Sequence, residues 1–308
     1  MKYSWLLGFI LILALAACGS GAPGSQEVPS VSPCLVSSTP EFPLGPADHT
    51  PEHDPVQTTE LVSTTAATEE ILCLDEVGLI QQFSVPVSRT QDEISGRIYT
   101  PPCYGADLDQ NYPTLYLLHG ATETDQQWEE LGVDELVDNL ISRYDLPPLI
   151  IIMPREDSWI PLPENQFGDH LVKDLIPWVD AHYRTLADRE YRAIGGLSRG
   201  GNWAVRIGLL NWALFEAIGA HSAPLFYGDL ERIPSWIEAI PELKIPRLYL
   251  DIGQHDTDLE DAAAFEKLLT ELGVPHSWYQ FPGMHEESYW QAHIDEYLLW
   301  YSSGWGAE

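Results

Sequence analysis

The stretch Gly195-Gly196-Leu197-Ser198-Arg199-Gly200-Gly201 decides the fold class of this 308-residue chain. A predicted strand over 192–194 precedes it, and a helix-like segment over 202–210 follows it. This is the G-x-S-x-G pattern between a strand and a helix, where the serine occupies a strained turn that needs small neighbours. A glycine-rich turn that only permits close packing is the alternative. We predict that Ser198 is a nucleophile at the carboxyl end of a sheet.

Outward from this turn, apolar runs alternate with helical periodicities along residues 73–308. Such alternation is typical of α/β domains, and continuously apolar runs from residue 114 onward indicate strands buried on both faces. We therefore predict a single catalytic α/β domain with a doubly wound, mostly parallel sheet. The predicted strands cover 79–85, 96–99, 114–118, 149–153, 192–195, 217–220, 247–252 and 277–281. The predicted helices cover 134–143, 169–183, 200–210, 259–272 and 287–301.

A histidine downstream of Ser198 is required, because a serine hydroxyl is a poor nucleophile until a base removes its proton. His285 follows the last predicted strand and precedes the last predicted helix, so we predict that it is this base. His276 lies at the start of that strand and His293 within that helix, and both are interpreted as structural residues.

The acid that orients the imidazole is expected in the loop after the strand over 247–252. Three aspartates lie in or just after that strand. Asp251 is interpreted as part of the strand, and Asp258 as the N-cap of the next helix. Asp256 is therefore the predicted acid.

Two backbone N–H groups should stabilise the oxyanion that forms when a carbonyl is attacked. We predict that Arg199, directly after the nucleophile, supplies one of them. Ala121, which follows the strand over 114–118, is predicted to supply the other. His119 closes that strand and is interpreted as a residue that shapes the turn.

The chain contains eleven tryptophans, most of which are expected in the core or in the walls of a cleft. Flat aromatic faces also stack on sugar rings, so carbohydrate esters are one candidate class of substrate. Three tryptophans lie in or near loops expected at the carboxyl end of the sheet, and we predict that they wall a substrate pocket: Trp128, Trp159 and Trp290.

Four segments together resemble one known family: Tyr99-Thr100-Pro101-Pro102, the run from Tyr112 to Gly120, Gly196-Leu197-Ser198-Arg199-Gly200-Gly201, and Gly283-Met284-His285 with Trp290. They are similar to the Putative esterase family of α/β-hydrolases, which includes esterase D, feruloyl and acetylxylan esterases, enterochelin esterases and the antigen 85 mycolyltransferases. The resemblance covers residues 79–300 and implies the α/β-hydrolase fold, a serine esterase, no metal and no diffusible cofactor. Cys103 departs from the family, which more often has glycine there, and this fits an added disulfide.

The residues favour hydrolysis of a small-molecule or carbohydrate ester through an acyl-enzyme on Ser198, which water activated by His285 then cleaves. Acyl transfer to a sugar or lipid acceptor, as in the antigen 85 proteins, differs only in what resolves the acyl-enzyme. A non-catalytic surface binding protein with the same fold is a third hypothesis, which a missing triad residue would indicate. The sequence specifies neither the acyl group, the alcohol nor the oligomeric state.

The N-terminus is typical of an export signal, with Lys2 followed by an apolar run over 5–17. It ends in Leu15-Ala16-Ala17-Cys18, which resembles a bacterial lipobox. We predict a lipoprotein signal peptide over 1–18, a lipidated Cys18 and an extracytoplasmic protein anchored to the cell membrane. An ordinary cleaved signal and an uncleaved membrane helix are the alternatives. Residues 19–72, rich in Pro, Ser and Thr and lacking Lys and Arg, are predicted to form a disordered acidic tether.

The 47 acidic and 15 basic residues give a formal net charge of −32, which disfavours binding to nucleic acid and to anionic lipid head groups. Apart from Cys18, the chain contains Cys34, Cys73 and Cys103, which allow three different single bridges. Cys73 and Cys103 bracket two predicted strands, whereas Cys34 lies in the tether. We therefore favour a Cys73–Cys103 disulfide, in a compartment where disulfides persist.

Overall fold

The computed structural model describes residues 73, 75–88, 92–106, 108–156 and 164–305, all within the compact unit Ala66–Glu308. The predicted signal peptide with Cys18, the tether with Cys34, and Trp159 lie outside the described residues. Within the described part of the chain, no helix is both long and apolar enough to cross a membrane.

Eight strands form one sheet: β1 (Leu79–Pro86), β2 (Glu93–Thr100), β3 (Thr114–Leu118), β4 (Ile150–Pro154), β5 (Arg192–Leu197), β6 (Ala217–His221), β7 (Arg247–Gly253) and β8 (Ser277–Phe281). They are ordered β1-β2-β4-β3-β5-β6-β7-β8. β2 pairs antiparallel with both β1 and β4, whereas the remaining pairs are parallel. The predicted mostly parallel α/β sheet is therefore confirmed.

Helices connect the strands: α1 (Gln127–Glu130), α2 (Val133–Ser142), α3 (Phe167–His170), a π-helical turn (Leu171–Leu175), α4 (Ile176–His182), α5 (Arg199–Leu210), α6 (Ile233–Glu238), α7 (Leu259–Glu271), α8 (Glu287–Gln291) and α9 (Ile294–Ser302). Short 3₁₀ turns cover Arg189–Tyr191 and Glu242–Lys244. The parallel strands thus follow the order β3-α-β4-α-β5-α-β6-α-β7-α-β8, which turns their carboxyl ends toward one edge of the sheet.

The apolar core has two layers, one on each face of the sheet. Every residue of β3 is buried, so this strand contributes side chains to both layers. Leu115 and Leu117 belong to one apolar cluster, with residues of α2 and α9. Tyr116 and Leu118 belong to the other, with residues of α4, α5 and α7. Side chains alternate between the faces of a strand, so a continuously apolar run is what a sheet covered by helices on both faces requires.

Two predicted helices differ in detail from the structure. The helix predicted over 169–183 begins two residues earlier, at Phe167, and contains the π-helical turn. The helix predicted over 287–301 is two helices, because the backbone at His293 (φ −122°, ψ 4°) is not helical. Periodicity alone could not locate this break, since apolar residues continue at helical spacing on both sides of it.

The Cys73–Cys103 disulfide is present, with a Cα–Cα distance of 5.6 Å. Cys73 precedes β1 and Cys103 follows β2, so the bridge closes the base of the β1–β2 hairpin. Cys103 has a φ of 66°, a left-handed backbone conformation that favours glycine. The predicted pairing is confirmed.

Candidate active site

Ser198 lies in a sharp turn between the end of β5 and the start of α5, with φ 51° and ψ −116°. The turn is tight: a Cβ on Gly200 would lie 2.2 Å from the carbonyl oxygen of Leu118, and one on Gly196 would lie 2.4 Å from the backbone of Gly200. The Ser198 N–H donates to the His221 carbonyl of the neighbouring strand at 2.8 Å. The two glycines are therefore required by the close approach of strand and helix.

A cavity of about 560 Å³ opens at this turn. Ser198 and His285 both line it, together with Ala121 and Trp290. Three segments that are far apart in the sequence thus meet around one space, at the edge where the parallel strands end.

His285 contacts the carboxylate of Asp256 through Nδ1, at 3.1 Å to Oδ1 and 3.0 Å to Oδ2. An ionised carboxylate only accepts hydrogen bonds, so Nδ1 carries the proton and Nε2 remains available as a base. Asp256 is 6% exposed, and its Oδ1 also accepts the Asp258 N–H at 2.8 Å. The ring of Trp290 meets the imidazole edge-on at a centroid distance of 5.1 Å. The imidazole is therefore oriented from two sides.

Asp258 occupies the residue before α7, as expected of an N-cap, but within the described structure its side chain makes no capping hydrogen bond. Its Oδ2 instead lies 3.7 Å from Nδ1 of His285. Burial raises the pKa of the Asp258 carboxyl above its ordinary value; His285 opposes this rise and Asp256 adds to it. The interpretation of Asp258 as a capping residue is wrong for its side chain, which faces the imidazole.

Asp256, Asp258 and His285 are also a group that could hold a metal ion, since their ligand atoms lie within 4.8 Å of one another. A cation on Nδ1 would replace the proton that Asp256 accepts. A bound metal and the hydrogen-bonded arrangement are therefore alternatives at this nitrogen.

The two predicted oxyanion donors lie near the nucleophile. Arg199 is the first residue of α5, and its guanidinium makes a double contact with the Glu156 carboxylate, at 2.8 and 2.7 Å. The side chain of Arg199 is thus engaged with Glu156. On the other side of the cavity, the Gly120 N–H donates to Gln127 Oε1 at 2.8 Å, while Ala121 lines the cavity.

His119 fixes the turn that contains Ala121 through two hydrogen bonds. Its Nδ1–H donates to the Gly120 carbonyl at 2.8 Å, and its Nε2 accepts the Glu156 N–H at 2.9 Å. Burial lowers the pKa of His119, which agrees with a neutral ring that donates through one nitrogen and accepts through the other. These contacts match the interpretation of His119 as a turn-shaping residue.

The three predicted pocket tryptophans have different positions. Trp290 lines the cavity, and its indole N–H donates to Ser222 Oγ at 3.1 Å. Trp128 is 1% exposed, donates to the Leu118 carbonyl at 3.2 Å and packs in the core, so its prediction as a pocket wall is wrong. The indole N–H of Trp128 thus points back to the last residue of β3. Trp159 lies outside the described residues.

Three carboxylates that sequence analysis did not single out also line the cavity: Glu123, Glu286 and Glu287. Two of them directly follow His285 in the chain, a proximity that could have indicated their place. Among the described residues that line the cavity, none is a lysine or arginine. The opening beside Ser198 and His285 is therefore acidic.

The model of the family described as "Putative esterase" matches residues 87–301. Among curated proteins, Esterase Rv1288 of Mycobacterium tuberculosis is 25% identical over 231 residues, covering 57% of this chain and 49% of that protein. The endo-1,4-beta-xylanase/feruloyl esterase of Xylanibacter ruminicola is 33% identical over 135 residues, covering 40% of this chain and 19% of that protein. The chain thus spans about half the length of the mycobacterial relative.

Solved structures share the fold. A ferulic acid esterase superposes with a TM-score of 0.68 at 22% identity, covering 75% of this chain and 99% of that one. The S-formylglutathione hydrolase FrmB of Staphylococcus aureus superposes with a TM-score of 0.59 at 18% identity, covering 73% and 99%. At these identities the likeness shows a common α/β architecture.

Proposed function

Because the chain belongs to the esterase family, whose model matches residues 87–301, we propose that it hydrolyses carboxylic esters with Ser198 as nucleophile, His285 as base and Asp256 as acid. The observation that carries this proposal is that Ser198 and His285 line one cavity, while Asp256 accepts a hydrogen bond from His285 Nδ1 at 3.0 Å. All three residues lie at the carboxyl edge of the sheet, which supports the proposed roles.

In this mechanism, Ser198 Oγ attacks the ester carbonyl carbon while His285 Nε2 takes the hydroxyl proton. The N–H groups of Ala121 and Arg199 stabilise the oxyanion of the tetrahedral intermediate, a contribution worth about 10²–10³ in rate for each donor. As the intermediate collapses, the C–O bond to the alcohol breaks and His285 returns the proton to that alcohol. Water then attacks the acyl-enzyme with His285 as base, releasing the acid and restoring Ser198.

The substrate is a small-molecule or carbohydrate ester. A cavity of about 560 Å³ lies within the range that accommodates small ligands. Two of the similar proteins are named as a feruloyl esterase and a ferulic acid esterase. Esters of aromatic acids are therefore the first class of substrate to assay.

We also propose an extracytoplasmic location, with residues 1–18 as a lipoprotein signal peptide and Cys18 as the lipidated residue. The Cys73–Cys103 disulfide supports export, because such bridges persist mainly in oxidising compartments. Globomycin treatment or Cys18→Ser should block processing and leave the precursor in the membrane fraction. Normal cleavage with release of the protein would indicate an ordinary secretory signal instead.

Ser198→Ala tests the enzymatic proposal. It should abolish turnover of 4-nitrophenyl acetate and labelling by a fluorophosphonate probe, since both need the activated hydroxyl. Ser142→Ala, which changes an exposed serine at the end of α2, is the matched control and should keep both. Unchanged labelling of Ser198→Ala would remove the nucleophile from the proposal.

A further inference from the structure

A second buried aspartate lies close to the site without belonging to its Asp–His pair. Asp251, in β7, is 1% exposed and accepts three hydrogen bonds. Its Oδ1 accepts His221 Nδ1–H at 2.6 Å, and its Oδ2 accepts the hydroxyls of Tyr289 at 2.7 Å and Tyr297 at 2.8 Å. A buried carboxylate is costly unless it is fully hydrogen-bonded, and here three elements each supply a donor.

Both tyrosines remain donors over the whole working range of pH. Burial, followed by the charge of Asp251, raises the pKa of the Tyr289 and Tyr297 hydroxyls well above their ordinary value. Each hydroxyl therefore keeps its proton and directs it at Asp251.

On one side, Asp251 holds the strand that supports the nucleophile. The imidazole of His221, the last residue of β6, donates to Asp251, and the backbone carbonyl of His221 accepts the Ser198 N–H. The next residue, Ser222, donates its N–H to the Asp251 carbonyl at 2.8 Å. A shift of Asp251 would therefore move the acceptor that anchors the Ser198 turn.

On the other side, Asp251 holds the helix that follows His285. Tyr289 lies in α8, which begins at Glu287, and its ring also packs against Gly283, where an added Cβ would lie 2.5 Å from it. The turn that carries His285 is thus enclosed between Gly283 and a helix whose Tyr289 is bonded to Asp251.

We propose that Asp251 is a positioning residue that sets the approach of His285 to Ser198, through His221 on one side and Tyr289 on the other. This inference rests on the proposed function. A catalytic group displaced by about 1 Å can cost about 10² in rate.

The network provides a matched pair of variants for the test. Tyr289→Phe and Tyr297→Phe each remove one hydroxyl from the same oxygen of Asp251, and both parent residues are buried, at 3% and 2% exposed. Only Tyr289 belongs to the helix after His285, whereas Tyr297 lies in α9. The two changes should lower the melting temperature alike, because each leaves the carboxylate with one donor fewer.

The measurements are kcat, KM and melting temperature of both variants and of the parent on one 4-nitrophenyl ester. We expect Tyr289→Phe to lower kcat about 10- to 100-fold with KM within about twofold, and Tyr297→Phe to keep kcat within about threefold. Asp251→Asn, if it folds, should show the kcat loss of Tyr289→Phe. Equal kcat in the two tyrosine variants, whether both normal or both low, would overturn the positioning role while the active parent still supports the esterase. A parent that hydrolyses no ester would contradict both proposals.

Discussion

The carboxylate of Asp258 lies 3.7 Å from Nδ1 of His285, the same nitrogen that Asp256 contacts at 3.0 Å. Asp256 is the buried member of this pair of acids, whereas the Asp258 side chain is 31% exposed. One carboxylate is therefore placed to hold the imidazole, and the other to add negative charge beside it. Substitution by asparagine separates these two contributions.

Asp256→Asn should leave the protein folded and lower kcat by up to about 10⁴. An amide in place of the carboxylate can donate to Nδ1, which favours the imidazole tautomer whose Nε2 carries the proton and cannot act as a base. The measurement is kcat with melting temperature as the control for folding. A rate near that of the parent would move the acid to another residue.

Asp258→Asn should have a smaller effect, lowering kcat roughly fivefold. Two unit charges about 4 Å apart attract by about 1 kcal/mol in a water-like environment, which is the loss expected when the imidazolium loses this neighbour. A loss as large as that of Asp256→Asn would assign the acid role to Asp258. An unchanged rate would show that solvent fully screens this charge.

The same variant should change the pH dependence of stability. The pKa of Asp258 is raised by burial, so the folded protein holds this proton more tightly than the unfolded chain. Stability is therefore lost as pH rises through the folded pKa, and the cost remains at neutral pH. Asp258→Asn should raise the melting temperature at pH 7 and bring no gain at a pH below the ordinary aspartate value. Melting curves of both proteins from pH 3 to 8 check the sign.

The acidic lining of the cavity should select substrates by charge. Glu286 and Glu287 line the opening beside His285, and the nearby guanidinium of Arg199 is engaged with Glu156. A neutral 4-nitrophenyl butyrate should therefore have a higher kcat/KM than its anionic counterpart, mono-4-nitrophenyl succinate, and added salt should narrow the ratio. The double change Glu286→Gln with Glu287→Gln should reduce the ratio about two- to fivefold. Glu242→Gln, an exposed glutamate before β7, is the control, and an unaffected ratio in the double variant would contradict the selection.

Cys73→Ser should lower stability and leave kcat nearly unchanged. The bridge spans a sequence separation of 30, and removing a disulfide that closes such a loop costs about 2 to 4 kcal/mol. Melting temperature and kcat of the oxidised parent, Cys73→Ser and the control Cys34→Ser check this. A non-reducing peptide map in which Cys34 is joined to either partner would contradict the pairing.

Much of the fold was predictable because the strands can be recognised from their local sequence. The boundaries predicted for β3 and β8 coincide with those of the structure, since turn-forming residues such as Pro113, Pro275 and Pro282 flank them. β8 contains Ser277 and Gln280 and has no buried residue, so the prediction of strands buried on both faces is wrong for this edge strand. The turn at Ser198 could also be predicted from its immediate neighbours, because the glycines on either side allow its tight backbone. The break at His293 was not predictable, since neither glycine nor proline occurs over 287–302 to mark it.

Chain order was enough to predict that Ser198, His285 and Ala121 meet at one cavity, whereas contacts that depend on packing were missed. Trp128 was assigned to the pocket from its nearness to the β3 loop, but the direction of its ring depends on how α1 sits against the core. The contacts of Asp251 depend on two strands and two helices meeting at one carboxylate, for which no segment carries a pattern. Sequence placed this aspartate in a strand without revealing its partners.

The hairpin bridge has a mechanical consequence. β1 is one of the two edge strands of the sheet, and a force on its N-terminal end could separate it from β2 one hydrogen bond at a time. Because Cys73 is joined covalently to Cys103, tension applied to the chain before Cys73 passes directly to the segment after β2. The β1–β2 hairpin then carries none of this force, so tension on the N-terminal segment of the domain does not separate β1 from β2.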